Sequence, residues 1–201
     1  MNQNDGQPAS TPPRSPMLMR PEQTALLVID LQEKLMAAQP QAATIAWNAR
    51  RLADGARALG VRAAATEQVP QKLGPTVASV AAAIGRPAEA KSDFSAAACP
   101  AAVADWVAAE IDRVLLCGIE THVCVQQTAL DLASAGYLVF LAVDAVGSRY
   151  AVDHKTALQR MQSAGVTLTT TEAALFEWCG GADHPQFKTI STLAKEQPPA
   201  A

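Results

Sequence analysis

The chain has 201 residues, 49% of them hydrophobic, and a formal charge of -3. That is enough apolar length for one full core, so a single domain is expected, and mixed-sign charges without a basic stripe argue against a nucleic-acid partner. No apolar run approaches the roughly 18 residues of a membrane span, so no membrane partner is expected either.

Residues 1 to 20 are polar, hold four prolines and show no periodicity. A disordered arm is expected there, because such a segment buries too little surface to offset the entropy of ordering. They also lack the basic start and apolar stretch of a secretory leader. Residues 196 to 201 read as a flexible tail, which leaves 21 to 195 for the folded domain.

The first aliphatic run, Leu26-Leu27-Val28-Ile29, ends directly in Asp30. From about Thr44 a helix is expected, with Ile45, Ala49, Leu52, Ala56 and Leu59 at the four-three spacing of one buried face. Weaker strands are expected at Val61 to Ala65 and near Glu89 to Lys91, with Thr66-Glu67-Gln68 as the loop after the first of these. Val114-Leu115-Leu116-Cys117 and Leu138 to Val143 are apolar throughout, the pattern of strands covered by helices on both faces. Asp144 follows the second of them, and a last strand is expected at Val166 to Thr169.

Glycine punctuates the helix ends at Leu59-Gly60-Val61, Ala135-Gly136-Tyr137 and Ala164-Gly165-Val166. Strand, helix and glycine stop, repeated in this way, define the α/β class: a three-layer α/β/α sandwich, Rossmann-like, around a parallel sheet.

In such sheets ligands bind beyond the carboxyl ends of the strands, where strand order reverses. Asp30 is therefore either an acid or base at the mouth of the sheet or a cap for the following Leu31-Gln32-Glu33-Lys34. Cys124 is either buried filler or a nucleophile in the first turn of a helix whose apolar face includes Val125, Ala129, Leu132 and Ala133; the helix dipole and a nearby cation would favour its thiolate. Lys91 is either a solvated charge or an ammonium leaning between a carboxylate and a thiolate. Cys117 and Cys179 read as core filler, and Cys99 as a helix-start residue. The four cysteines form no Cys-x-x-Cys pair, which points to a cytoplasmic setting and leaves a redox enzyme as the weaker reading.

Asp30 in Ala25-Leu26-Leu27-Val28-Ile29-Asp30-Leu31-Gln32, Lys91 in Lys91-Ser92-Asp93-Phe94-Ser95, and Cys124 in Gly118-Ile119-Glu120-Thr121-His122-Val123-Cys124-Val125 together resemble the isochorismatase-like cysteine hydrolases. The likeness runs over residues 22 to 192. It is similar in particular to the isochorismatase domain-containing subgroup, through Thr66-Glu67-Gln68, Leu73-Gly74-Pro75-Thr76 and His184-Pro185-Gln186-Phe187-Lys188. The resemblance implies a six-stranded parallel sheet, an Asp30-Lys91-Cys124 triad, and a cis peptide at Ile119-Glu120 that directs the backbone N–H groups of Glu120 and Cys124 at an oxyanion. It also implies a small-molecule substrate touched by Gln68, Phe94 and Thr121, a homo-oligomer, and no cofactor.

Two departures narrow it. The nicotinamidases of this family hold zinc with Asp and His after the second strand, whereas Thr66-Glu67-Gln68-Val69-Pro70 contains no histidine and none of His122, His154 and His184 forms a metal spacing with another. No catalytic metal is expected, which disfavours nicotinamide. Isochorismatases proper cleave a vinyl ether without needing a thiol, so Cys124 favours C–N hydrolysis through a thioester, with vinyl-ether hydrolysis and a catalytically silent binding protein as the alternatives. His122, two residues from Cys124, is expected to face elsewhere, as a surface or interface side chain. Glu120, an acid beside an oxyanion, has to turn away or pair.

Overall fold

The computed structural model describes residues 14–199. Six parallel strands run in the order β3-β2-β1-β4-β5-β6: β1 Thr24–Ile29, β2 Arg62–Gln68, β3 Glu89–Lys91, β4 Arg113–Ile119, β5 Leu138–Gly147 and β6 Thr167–Thr169. The helices are α1 Glu33–Met36, α2 Ala42–Leu59, α3 Pro70–Leu73, α4 Ala78–Ile84, α5 Pro100–Ala108, α6 Gln126–Ser134, α7 Ala151–Ser163, α8 Thr171–Cys179 and α9 Phe187–Ala194, and a π-helical turn, Thr121–Val125, precedes α6.

The three layers follow from side-chain alternation. Leu26 and Val28 of β1 join Leu115 and Cys117 of β4 against α2, α4, α8 and α9, where Trp178 is 1% exposed. Ala25, Leu27 and Ile29 join Val114 and Leu116 against α5, α6 and α7, around Trp106. Both faces of β1 and β4 are buried, which is why these strands carry continuous aliphatic runs. On α2 the spacing holds: Ile45, Ala49, Leu52 and Ala56 are buried, and Gly60 closes the helix at φ 74°.

Several boundaries differ from the sequence reading. Thr66-Glu67-Gln68 is not a loop but the last part of β2, paired with Ile29 of β1 and with all of β3. These polar residues sit in a strand because each has a polar partner at the rim. Asp144 is likewise inside β5, in an excursion between the pairs Leu116–Leu141 and Gly118–Val146. Its carboxylate accepts the Thr171 N–H at 2.8 Å and hydroxyl at 3.0 Å, so it caps α8 instead of facing the crevice.

Of the expected arm, residues 1–13 lie outside the described region, and the rest is anchored at Arg14 and Met19 while Ser15, Pro16 and Met17 stay exposed. Met19 is fully buried, its N–H donates to Glu177 Oε2 at 2.9 Å, and the Arg14 guanidinium donates to the Glu177 carbonyl. One apolar side chain and two polar anchors order a segment whose composition alone does not. The tail also starts later than expected, because Glu196 pairs with Arg50. Among the described residues no helix is long and apolar enough to cross a membrane.

Strand order reverses between β1 and β4, and there the two backbones meet closely. A Cβ on Gly118, at φ 125°, would lie 2.0 Å from the Ile29 carbonyl oxygen. Gly118→Ala is therefore expected to lose about 3 kcal/mol or more, since backbone has to move. Gly136→Ala, also at positive φ (95°) but with nothing within 4 Å, is expected to lose about 1–2 kcal/mol. Denaturant midpoints measure both; equal losses would refute the close-approach account.

Candidate active site

Asp30 follows β1 in a left-handed conformation, φ 53°, uncommon outside glycine and best tolerated by Asn and Asp. Its side chain is completely buried. Oδ1 accepts the Thr66 hydroxyl at 2.8 Å and Oδ2 accepts Lys91 Nζ at 2.7 Å. It caps no helix, since α1 begins at Glu33 with Gln32 at its N-cap.

Lys91, at the end of β3, is 8% exposed. Besides Asp30, its ammonium donates to Gln68 Oε1 at 2.6 Å and to the carbonyls of Asp93 at 3.1 Å and Phe94 at 3.0 Å. Three protons facing four acceptors leave the charge fully compensated in a buried place, as such an ion requires.

Cys124 lies in the π-helical turn after β4, 7% exposed. The Asp30 carboxylate and the Lys91 ammonium lie near enough to act on its thiol in opposite senses. The expectation of a thiolate is corrected here. Burial first, and the Asp30 charge second, push the thiol up to about 12, against the weaker pull of Lys91. A helix dipole worth about 0.3–1 kcal/mol cannot offset that, and Lys91 is already neutralised by Asp30. Burial and the Asp30 charge thus both favour the protonated thiol beside the Asp30–Lys91 ion pair.

Sequence reasoning placed Gln68 and Thr121 against substrate, but both side chains have protein partners. The Gln68 amide accepts from Lys91 and donates to the Ser92 carbonyl at 2.7 Å. Thr121 is fully buried, with its hydroxyl 3.0 Å from His154 Nδ1. Both side chains are thus held in place by protein partners, Gln68 by Lys91 and Thr121 by His154. The Phe94 ring, 54% exposed, remains free, beside a cleft of about 420 Å³ shared with Ser95, Gln127 and Asp131.

Three contributors escaped the sequence reading. Gln32 locks the end of β2 to β1, accepting the Gln68 N–H at 2.7 Å and donating to the Gln68 and Gly74 carbonyls at 3.1 and 2.7 Å. Thr66 holds Asp30, as above. Thr128 donates to the Cys124 carbonyl at 2.6 Å and accepts the Ala96 N–H at 2.8 Å, tying the turn that carries Cys124 to the segment after Lys91. Apart from Cys124, four residues before Thr128, their partners are distant in the chain, so no local pattern gives these bonds.

The Ile119-Glu120 peptide is cis. Glu120 pairs: its Oε1 accepts the Arg149 backbone N–H and Nε, both at 3.0 Å, and Gln39 Nε2 at 3.2 Å. Burial pushes its carboxyl up, but the bonds from Arg149 and Gln39 outweigh this and hold it below the usual range. His122 bonds Ser148 Oγ through Nδ1 at 3.0 Å, away from the thiol. Cys99 is buried before α5, where burial and then Glu89 raise its thiol to about 11. Among the described residues no three His, Cys, Asp or Glu side chains form a group able to hold a metal.

A parallel α/β/α sandwich of order 3-2-1-4-5-6, with a carboxylate, an ammonium and a thiol joined at its switch point, has the framework of a hydrolase. The isochorismatase domain model matches residues 24–173. A bovine relative, isochorismatase domain-containing protein 2, is 41% identical over 180 residues, covering 89% of this chain and 86% of its own. A Caenorhabditis elegans structure described as MAR1 ribonuclease superposes with TM-score 0.85 at 38% identity, over 91% of this chain and 95% of that one. The Escherichia coli YcaC gene product, described as an octameric hydrolase of unknown specificity, shares the fold at TM-score 0.80 and 23% identity, over 92% and 93%. The chain belongs to the isochorismatase family.

The protonation state is directly measurable. Thiolate absorbance near 240 nm, parent minus Cys124→Ala, is expected to show no step below about pH 9. Asp30→Asn, which removes the anion and leaves Lys91 uncompensated, is expected to move the step down. A step below about pH 8 in the parent would contradict the buried-thiol account.

Proposed function

We propose that this protein is a metal-independent hydrolase that cleaves the C–N bond of a small carboxamide-type substrate through a thioester on Cys124. The observation that supports the reading is the buried Asp30–Lys91 ion pair with the Cys124 thiol within its influence, an arrangement that would place a general base and an ammonium near a nucleophile. Lys91 takes the Asp30 oxygen that a metal would otherwise use, and Glu67 Oε1 is engaged by the Thr76 N–H and hydroxyl at 2.7 and 2.8 Å.

In this reading Asp30 takes the Cys124 proton as Sγ adds to the substrate carbonyl carbon. The carbonyl oxygen becomes an anion, received by the backbone N–H groups of Glu120 and Cys124, each worth about 3 kcal/mol. On collapse the C–N bond breaks and Asp30 returns the proton to the amine. Water then adds to the thioester, giving a proton to Asp30, and the second collapse releases the acid and the thiolate, which Asp30 reprotonates. Lys91 is the positioning residue, holding Asp30 in line with the sulfur. The substrate enters along the Phe94 side, and the chain works as a cytoplasmic homo-oligomer, as the octameric YcaC relative suggests.

The ribonuclease description of the worm relative supports a second reading. It fits this chain less well, because a net charge of -3 without a basic stripe offers a phosphate backbone little attraction.

The test is an amine-release screen over small amides, with RNA oligonucleotides and a vinyl ether included. Cys124→Ala is expected to abolish amide turnover, and Asp30→Asn to lower kcat by about 10²–10⁴-fold. Equal amide turnover by Cys124→Ala and the parent would overturn the reading, and RNA or vinyl-ether cleavage alone would install a rival.

A further inference from the structure

A cleft of about 290 Å³ opens where the α1–α2 connection, the end of β5 and the start of α7 meet. Gln39, Ile45, Gly147, Arg149 and His154 line it; Asp30, Lys91 and Cys124 do not. It has the volume of a small-molecule site at the low end of the usual range, and the proposed reaction makes no use of it.

Its polar groups are left half used. Gln39 is 7% exposed, and its amide orientation is fixed because Nε2 donates to the Glu120 carboxylate. That leaves Gln39 Oε1 buried with no hydrogen-bond partner. Buried acceptors are normally satisfied, so this oxygen calls for a donor. Gly147 leaves room beside it: a Cβ there would lie 3.6 Å from that oxygen and 2.4 Å from Ile45 Cδ1.

Arg149 is half exposed and gives only Nε and its backbone N–H to Glu120. Among the described residues its two terminal nitrogens have no hydrogen bond or ion pair, so the fork is open to a carboxylate. Gln39 and Arg149 bond the same Glu120 oxygen, and both side chains line the cleft. His154 adds a ring that burial holds below the usual imidazole range, and its Nδ1 is already taken by Thr121.

We propose that this cleft binds a small 2-hydroxy acid, its carboxylate on the Arg149 fork and its hydroxyl donating to Gln39 Oε1, and that occupancy is felt in the turn carrying Cys124. The relay is short. Glu120 is the residue both ligand-bearing side chains hold, and Thr121, bonded to His154, begins the π-helical turn.

L-lactate and propionate are the probes, titrated to tens of millimolar against ¹⁵N-labelled protein. Neither is an amide, so the outcome does not depend on the hydrolase reading. Lactate is expected to give saturable shifts in the Gln39 side-chain amide and Arg149 Nε–H, with the amides of Thr121 and Cys124 following the same curve. Propionate, lacking the donor, is expected to bind about fivefold more weakly. Arg149→Ala, a change on the surface, is expected to abolish saturation, and Gln39→Leu to bring lactate down to the propionate level. No saturation with lactate, equal binding of the two acids, or unchanged binding by Arg149→Ala would overturn the site; saturation with still amides at Thr121 and Cys124 would overturn the relay.

Discussion

The ion pair of Asp30 and Lys91 is the constraint on which the rest of the rim depends. Each charge costs several kcal/mol to take out of water, and mutual attraction repays that only when every remaining lone pair and proton is met. Here Thr66 meets the second carboxylate oxygen, while Gln68 and two carbonyls meet the ammonium. Supplying those partners requires the ends of β1, β2 and β3 to lie side by side in register, which the sheet order provides. Gln32 then fastens the first of these ends to the second by two bonds, and a third ties it to the Gly74 carbonyl. An apolar pair would fill the same space at less cost, so this buried ion pair is what singles the rim out as a candidate site.

The other half of the site depends on how near β1 and β4 come. Gly118 admits the Ile29 carbonyl where any side chain would collide, and the chain then passes through Ile119-Glu120 into the π-helical turn. Glu120 fixes the far side of that passage by holding Arg149 and Gln39, so the acid beside the expected oxyanion is itself occupied. Thr128 closes the arrangement from below, joining the Cys124 carbonyl to the segment that follows Lys91. The thiol is therefore positioned from both neighbouring strands and from its own helix.

The sheet was legible in the sequence because its central strands are buried on both faces and so carry unbroken aliphatic runs. β1 and β4 stood out for that reason, as did the helix from Thr44 with its single buried face. The rim was legible only as far as residue type and place after a strand could carry it: Asp30, Lys91 and Cys124 were marked as candidates, and the structure brings all three together. What failed was whatever depends on partners far away in the chain. Thr66-Glu67-Gln68 looks like a loop by composition, yet a polar strand end is stable when Asp30, Thr76 and Lys91 answer its side chains. Met19 shows the same at the amino end, where one buried side chain and Glu177 order residues that read as an arm. The expectation of a thiolate failed for a related reason, since a cation counts for little at a sulfur when a nearer carboxylate already holds it.

That last point bears on how such a site can work. A permanently ionised sulfur here would put two anions beside one ammonium in a nearly dry place, and burial and the Asp30 charge both oppose it. With the proton on sulfur, the three groups carry no net charge. In the proposed reaction, proton transfer to Asp30 would become favourable as carbon–sulfur bonding removes charge from the sulfur, so that the nucleophile forms as the base takes its proton. Lys91 loses nothing in that step, because its four acceptors include three that do not titrate. A buried, neutral thiol is in this sense the resting form that a single shared carboxylate demands.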